Sequence, residues 1–217
     1  MDRFWSTDTE LSPAALSMLM EARQTILPKR LEGPGPAADE WRTWLASAAS
    51  APDHRQILPW RFVCVPKNQR HRLGDCFAQA LLERDPSATD EQMSQAREKA
   101  MRAPVLLLLV VDAARGDPGI DLLERVVSAG CAVQNLLLMA TAQGYGSALT
   151  SGKALRSKAL HTLFDLTPNE HALCFISLGN VRQRRPARSR PSPEDYLQTL
   201  GETGIVAGFP PAPDTSE

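Results

Sequence analysis

The longest apolar run of the chain, APVLLLLVVD at residues 103–112, shows no alternation of apolar and polar positions. A strand with one face in water would alternate, so this run predicts a strand that is covered on both faces, near the centre of a sheet. Shorter runs bounded by turn residues predict three more strands: WRFVCV at 60–65, YGSAL at 145–149 and HALCFISLG at 171–179. We therefore expect a sheet with one buried central strand.

Helical spacing of apolar residues occurs between these predicted strands. The segment AADEWRTWLASAA at 37–49 has acidic residues in its first turn and places Trp41, Trp44, Leu45 and Ala48 on one face, which predicts an amphipathic helix. Further helices are predicted at 12–22, 67–84, 121–143 and 154–164, and residues 85–102 predict a loop that leads into a solvated helix. The helix at 121–143 is apolar nearly all round, so we expect it inside the molecule or inside an interface.

The order of these elements predicts an α+β fold. Strands and helices do not alternate regularly enough for a doubly wound parallel sheet, and no internal repeat occurs. A chain of 217 residues with 43% hydrophobic residues is long enough for one core. We expect an N-terminal extension at 1–15, one domain at 16–196 and a C-terminal tail at 197–217.

Two segments are predicted to lack regular structure. Prolines at 28, 34 and 36 predict that residues 23–36 form an extended basic loop. The segment from Asn180 onward is rich in arginine and proline, so we expect an arm that lies over the surface or over a partner subunit.

Charge and composition favour a small-molecule partner. Lysine plus arginine (24) nearly equals aspartate plus glutamate (25), so no overall field attracts nucleic acid or an anionic membrane. The uncharged stretch between Val126 and Gly152 is interrupted by glycines and polar side chains, whereas a membrane span needs about 20 predominantly apolar residues. The first residues, MDRFWSTDTE, lack the apolar run of a secretory signal, so we expect a cytoplasmic protein.

Familiar catalytic and metal-binding patterns are absent from the sequence. The cysteines at 64, 76, 131 and 174 lack CxxC spacing and the four histidines are far apart, which leaves a zinc site unsupported. No GxSxG, Walker, GxGxxG-after-strand or HExxH motif occurs. A cysteine hydrolase with a Cys–His dyad stays an alternative.

Three segments combine polar side chains with irregular backbone. The first contains Arg23, Gln24 and Thr25 at a helix end, followed by Lys29 and Arg30, donors that suit a phosphate and the polar edge of a flat ring. A solvated basic loop is the alternative interpretation of this segment.

The second segment, SAPDHRQILPWRF at 50–62, has a rigid loop between Pro52 and Pro59, which a simple helix-to-strand connection would also explain. In the third, QGYGSALTSG at 143–152, glycines 144, 146 and 152 let the backbone approach a ligand closely, and Thr150 and Ser151 offer hydroxyls.

Together and in this order, the segments resemble the nitroreductase family, and in particular its YdjA-like branch. ARQTILPKRL with the following PGP is similar to the family's first motif, and ASAPDHRQILPWRF to its motif A-P-S-x-x-N-x-Q-P-W-x-F. SAGCAVQNLLLMATAQGYGSALTSG resembles the family's long core helix, Gly-rich turn and following strand, and ALCFISLGNV a later strand that ends in glycine. The resemblance covers roughly Leu16 to Tyr196.

This resemblance implies a mostly antiparallel sheet flanked by helices, in a homodimer that forms through the long helix and holds two FMN sites at its interface. It implies an oxidoreductase in which NAD(P)H gives a hydride to FMN and a small organic acceptor, such as a nitroaromatic or a quinone, is then reduced by a ping-pong mechanism. A flavin-binding carrier or regulator without turnover is the alternative.

The family's site positions also carry over to numbered residues of this chain. The resemblance implies that Arg23, Gln24 and Thr25 contact the phosphate and ribityl chain, and that Arg188 or Arg190 adds a phosphate contact. It implies contacts to the flavin of the other subunit from Ser50, Asp53, His54 and Gln56. It also implies ring contacts from Leu149, Thr150 and Ser151, and positive charge near the ring from Lys29 or Arg30. Two departures stand out. Gln24 and Thr25 replace the commoner Arg and Ser, and Leu149 stands where relatives carry an aromatic residue.

Overall fold

The apolar run at 103–112 forms a strand that is buried along almost its whole length. A computed structural model of the chain describes residues 12–183, 189–201 and 203–210. Its helices are α1 (Pro13–Ala22), α2 (Ala38–Ala48), α3 (Arg70–Arg84), α4 (Asp90–Glu98), α5 (Leu122–Ala142) and α6 (Lys158–Leu163). Its strands are β1 (Leu31–Glu32), β2 (Trp60–Cys64), β3 (Val105–Asp112), β4 (Gly146–Thr150), β5 (Glu170–Val181), β6 (Gln198–Gly201) and β7 (Gly204–Ala207).

The main sheet is antiparallel at each described pairing and has the strand order β1-β5-β3-β2. The short strand β4 also pairs with β5, with Ala148 opposite Ser177. Helices flank this sheet, so the predicted α+β fold with a mostly antiparallel sheet is confirmed.

The central strand β3 separates two layers of helices. Its side chains alternate between the two faces of the sheet. Leu107 and Leu109 pack in one apolar cluster with residues of α2 and α5, whereas Leu106 and Leu108 pack in another with residues of α3 and α6. Both faces are covered, which explains the absence of alternation in its sequence.

The long apolar helix α5 is a core helix of this domain. It has 21 residues and a mean hydropathy of 1.3, values that a membrane span would also satisfy. However, Ala129, Ala132 and Leu136 are fully buried, in the cluster that joins α5 to α2 and the sheet. At the start of the helix, the buried Arg125 donates hydrogen bonds to the carbonyl of Ile120 at 3.0 Å and to that of Arg115 at 2.7 Å. The predicted core helix is confirmed for this face, whereas Leu123 and Val127 on its other face are exposed in the protomer.

The proline-rich segment at 23–36 is more regular than predicted. A 3₁₀ turn at Pro28–Arg30 is followed by β1, whose residues pair with Val181 and Asn180 of a longer β5. The prolines at 28, 34 and 36 flank β1 and do not interrupt it, which leaves its two backbone amides free to pair. Here the expectation of an irregular loop was wrong.

The chain divides into two units at residues 184 and 185. The described part of the second unit contains a hairpin of β6 and β7, in which Gly201 pairs with Gly204. No hairpin was predicted here, where the arginine- and proline-rich sequence led us to expect an arm.

Candidate functional site

A cleft of about 390 Å³ lies where the first polar segment meets the end of β4. Leu27 and Pro28 line it from that segment, and Thr150, Ser151 and Gly152 line it from the strand end. Its apolar walls are formed by Phe77, Leu81, Leu106, Leu155 and Phe175. Two of the three segments that the sequence singled out therefore meet at one cleft.

Backbone pairing explains this meeting. Thr25 forms a parallel bridge with Ser147, and the amide of Ile26 donates a hydrogen bond to the Ser147 carbonyl at 2.8 Å. The first segment thus runs alongside β4 in the same direction. Two residues later, Leu27 and Pro28 reach the level of the strand end.

The charge of the cleft is entirely cationic. Arg84, Lys99, Arg102 and Lys153 line it, and its described lining includes no aspartate or glutamate. All four side chains are exposed, and the salt bridges found in the described ranges involve none of them. Positive charge concentrated beside apolar walls attracts anions and stabilises negative charge that develops in a ligand.

Sequence reasoning missed these four cations. Arg84 ends α3, Lys99 begins the 3₁₀ turn after α4, Arg102 follows that turn and Lys153 begins the 3₁₀ turn after β4. Each looks like an ordinary surface residue of a helix end or loop, so no local pattern could have identified it. The cations that the sequence suggested, Lys29 and Arg30, are exposed but do not line the cleft.

The predicted phosphate contacts lie beside the cleft. Arg23 is the half-buried C-cap residue that follows α1, and its amide donates to the Leu19 carbonyl at 3.1 Å. Gln24 lines a narrow crevice together with Tyr145 and Gly146. Neither Arg23, Gln24 nor Thr25 lines the cleft itself, although these residues lead directly into Leu27.

The second segment forms a strained loop. Arg55, Gln56 and Leu58 have φ angles of 57°, 53° and 46°, which is the left-handed region that side chains disfavour. The carboxylate of Asp53 accepts a hydrogen bond from the Leu58 amide at 2.7 Å, and the Asp53 carbonyl accepts one from the Gln56 amide at 3.1 Å. Several such residues close together are typical of functional sites.

This loop is held against the start of α5. His54 Nδ1 lies 2.5 Å from Glu124 Oε1, and Arg55 pairs with Asp117. Pro52, Asp53 and His54 line a separate cavity of about 210 Å³, and Ser50 and Gln56 are exposed. Within one protomer, the second segment and the cleft therefore do not form one site.

Asp53 has an unused hydrogen-bond acceptor. Its second carboxylate oxygen, Oδ1, is buried and has no hydrogen-bond partner among the described residues. Buried polar atoms almost always have a partner. A donor from outside this protomer would satisfy it.

The three glycines of the third segment have three different roles. Gly144, at φ 88°, terminates α5, and a Cβ on Gly146 would lie 2.3 Å from Val181 Cγ2, so Gly146 is needed for packing. Gly152 lines the cleft, and no heavy atom lies within 4 Å of the place where its Cβ would be. Of these three glycines, Gly152 is the one that lines the cleft, and the open space beside it leaves room for a ligand.

The structure does not place the three remaining predicted FMN contacts in the cleft. Leu149 is 46% exposed and does not line the cleft. Arg188 lies outside the described residues, and Arg190 belongs to the described part of the second unit.

Three of the four thiols, those of Cys64, Cys76 and Cys174, are poorly suited to hydrolysis. Burial raises the pKa of Cys76 and that of Cys174 to about 11, and burial also raises the pKa of Cys64. Because the thiolate is the nucleophile, a raised pKa disfavours a cysteine hydrolase. In the described ranges, no group of His, Cys, Asp and Glu is arranged to hold a metal ion.

Comparisons with known proteins agree on one family. Residues 12–180 match the model of the Nitroreductase family. The chain is 28% identical over 165 residues to "Putative NAD(P)H nitroreductase YdjA" of Escherichia coli K12, which covers 76% of this chain and 87% of that protein.

Solved structures share the fold. A nitroreductase-like family protein from Bacillus cereus superposes with a TM-score of 0.70 at 15% identity, covering 92% of this chain and 98% of that one. The NADPH:FMN oxidoreductase from Vibrio harveyi, solved in complex with NAD⁺, has a TM-score of 0.61 at 18% identity and covers 82% and 74% of the two chains.

Proposed function

Because this chain belongs to the nitroreductase family, we propose that it is an FMN-dependent oxidoreductase that uses NAD(P)H to reduce a small organic acceptor such as a nitroaromatic or a quinone. The observation that carries the proposal is the cationic, apolar-walled cleft at the end of β4. The names "Putative NAD(P)H nitroreductase YdjA" and "NADPH:FMN oxidoreductase", the latter for the Vibrio harveyi protein, support the same cofactor and electron donor here.

The cleft fits a flavin in size and chemistry. Its 390 Å³ is within the usual range for small-molecule sites, about 300–1,000 Å³. The apolar walls suit a flat aromatic ring system, and the extended backbone at Gly152 leaves a surface without a side chain on which a ring can lie. The cations suit the edge of the ring where negative charge increases on reduction.

When bound, FMN supplies the redox chemistry, since it can take a hydride from NAD(P)H and give two electrons to an acceptor. For a nitro compound the balance is R–NO₂ + NAD(P)H + H⁺ → R–NO + NAD(P)⁺ + H₂O. The chain's own residues bind and orient. Arg84 and Lys153 stabilise negative charge in the cleft, and Phe77, Leu81 and Phe175 exclude water from its inner wall.

The proposal includes a homodimer that forms through α5. Leu123 and Val127 on the outer side of this helix are 74% and 65% exposed, and Gly130 on the same side faces open space. The apolar helix α1 has no buried residue at all. Large exposed apolar patches of this kind mark interaction surfaces.

A second copy would also complete the site. The second segment is separated from the cleft of its own protomer, and Asp53 Oδ1 has no partner among the described residues. We propose that Ser50, Asp53, His54 and Gln56 reach the FMN of the opposite subunit, while Arg23, Gln24 and Thr25 contact the phosphate of their own. Each of the two sites then needs both chains.

The visible spectrum of the purified protein tests this proposal. We expect a yellow protein that releases FMN, identified by mass after heating, and that NAD(P)H bleaches under anaerobic conditions. Recovery of FAD, or a colourless protein that FMN cannot reconstitute, would refute the assignment. Bound FMN that NAD(P)H does not bleach would show a carrier or regulator instead.

A further inference from the structure

The cleft has more positive charge than a flavin ring requires. Reduction adds one negative charge to the polar edge of the ring, which one nearby cation can offset. Four cations line the cleft without a carboxylate, and the cofactor phosphate is assigned above to the first segment. At least two of the four cations are therefore available for another anion.

Lys99 and Arg102 are the pair of cations best placed to bind a second anion. They are three residues apart, at the start and immediately after the 3₁₀ turn Lys99–Met101, and Arg102 keeps helical backbone angles. Side chains three apart on a 3₁₀ turn lie on the same side, so the two positive charges are neighbours. Like charges at this spacing repel each other weakly, and an anion between them would relieve that repulsion and form two ion pairs.

A second, more open cavity of about 900 Å³ adjoins the cleft, and the two share Arg84, Ser151, Gly152, Lys153 and Leu155. Lys99 and Arg102 line the cleft and not this second cavity, so an anion bound by them lies in the cleft itself. The second cavity adds Arg156, His161 and His171, and one carboxylate, that of Glu83. A molecule larger than the flavin ring alone can thus be accommodated beside it.

We propose that the acceptor is a small aromatic anion and that Lys99 and Arg102 bind its carboxylate, sulfonate or phosphate group. This inference rests on the FMN-dependent function proposed above. It narrows the proposed acceptors to aromatic anions, because a neutral nitroaromatic or quinone would form no ion pair with these two cations.

The test compares 4-nitrobenzoate with the neutral 4-nitrobenzamide, which has nearly the same shape. Each is reduced as R–NO₂ + NADPH + H⁺ → R–NO + NADP⁺ + H₂O, and the ratio of their kcat/KM values is measured for each protein. Intrinsic reactivity cancels when this ratio is compared between variants. In the wild-type protein we expect the preference for the anion to fall as salt is added, because exposed charges are screened.

In the double variant Lys99→Gln/Arg102→Gln we expect the ratio to fall about five- to ten-fold, the effect of two partly exposed ion pairs. The matched control is Lys67→Gln/Lys158→Gln, which removes the same net charge at exposed positions outside the cleft and its neighbouring cavity. The control should keep the wild-type ratio. FMN content, read from absorbance, is measured on each protein.

Three results would overturn the inference. An unchanged ratio in the double variant would show that the two cations do not bind the acceptor. Loss of FMN from it would assign them to the cofactor, and a KM increase for NADPH but not NADH, without a change in ratio, would assign them to the 2′-phosphate of the donor. A wild-type protein without FMN, or one that NAD(P)H does not bleach, would instead refute the proposed function itself.

Discussion

Gly130 is the position at which dimer formation and cofactor binding can be tested separately from folding. It lies on α5, on the side that also exposes Leu123 and Val127, and no heavy atom lies within 4 Å of the place where its Cβ would be. A leucine there should therefore fit the isolated protomer without a clash. In a homodimer that packs α5 against its copy, the same leucine would fill space that the partner's backbone needs.

Gly130→Leu should stabilise the isolated protomer but destabilise the dimer. Replacing an exposed helical glycine by leucine should stabilise the helix by up to about 1 kcal/mol. Overpacking a close contact costs about 1–3 kcal/mol, and a two-fold interface contains the site twice when it lies near the symmetry axis. Counted twice, this cost of about 2–6 kcal/mol should increase the dimer dissociation constant about thirty-fold to twenty-thousand-fold.

Sedimentation and flavin absorbance on the same sample measure both consequences of Gly130→Leu. We expect a shift toward monomer, a parallel loss of FMN, and an apoprotein that unfolds at the same or a higher temperature. Ser94→Leu, which adds a leucine to the exposed side of α4, is the control for an added surface leucine. A monomer that keeps one FMN per chain would show that the site is built within one protomer.

Three further substitutions test the cleft and the fold. Gly152→Val should weaken FMN binding about ten-fold to a hundred-fold, measured by titration of the apoprotein. Its unfolding temperature should not change, because the extended backbone and open space at residue 152 accept a side chain. Arg23→Ala should weaken FMN binding similarly if it contacts the phosphate; unchanged FMN affinity would contradict that assignment. Arg61 Nε lies 2.8 Å from Glu170 Oε1, and this hydrogen bond lowers the pKa of Glu170 below its ordinary value of 4.5. Arg61→Met should therefore lower the free energy of unfolding, measured in urea at pH 7, by about 1 kcal/mol. This loss should become smaller at acidic pH, where Glu170 becomes protonated. An equal loss at both pH values would refute the pairing.

The elements that the sequence predicts best are those whose stability comes from burial. The strand at 103–112 and the helix at 121–143 are recognisable because a residue buried on all sides must be apolar at each position, whatever its partners are. β1 was missed for the opposite reason. Its two residues gain their structure from pairing with Asn180 and Val181, about 150 positions away, and no local pattern records that pairing.

The residues of the candidate site likewise differ in whether a local sequence pattern identifies them. Thr150, Ser151 and Gly152 could be selected from the sequence because a Gly-rich turn after a buried helix is a local feature. The cations Lys99 and Arg102 could not be selected, since they follow a solvated helix and line the cleft only because the fold brings them to the end of β4.

The strained loop at 53–58 links the geometry of the protomer to the proposed dimer. Three left-handed residues cost roughly 1–3 kcal/mol each. The pairs that hold the loop, His54 with Glu124 and Arg55 with Asp117, are formed by side chains that are between 32% and 65% exposed, and exposed ion pairs stabilise by about 0–1 kcal/mol. Inside the loop, the Leu58 amide donates to the Asp53 carboxylate and the Gln56 amide to the Asp53 carbonyl, yet Asp53 Oδ1 still lacks a partner among the described residues. A donor from a cofactor or a second chain would satisfy this buried oxygen, which makes the loop, more than the cleft, the structural argument for a site shared between subunits.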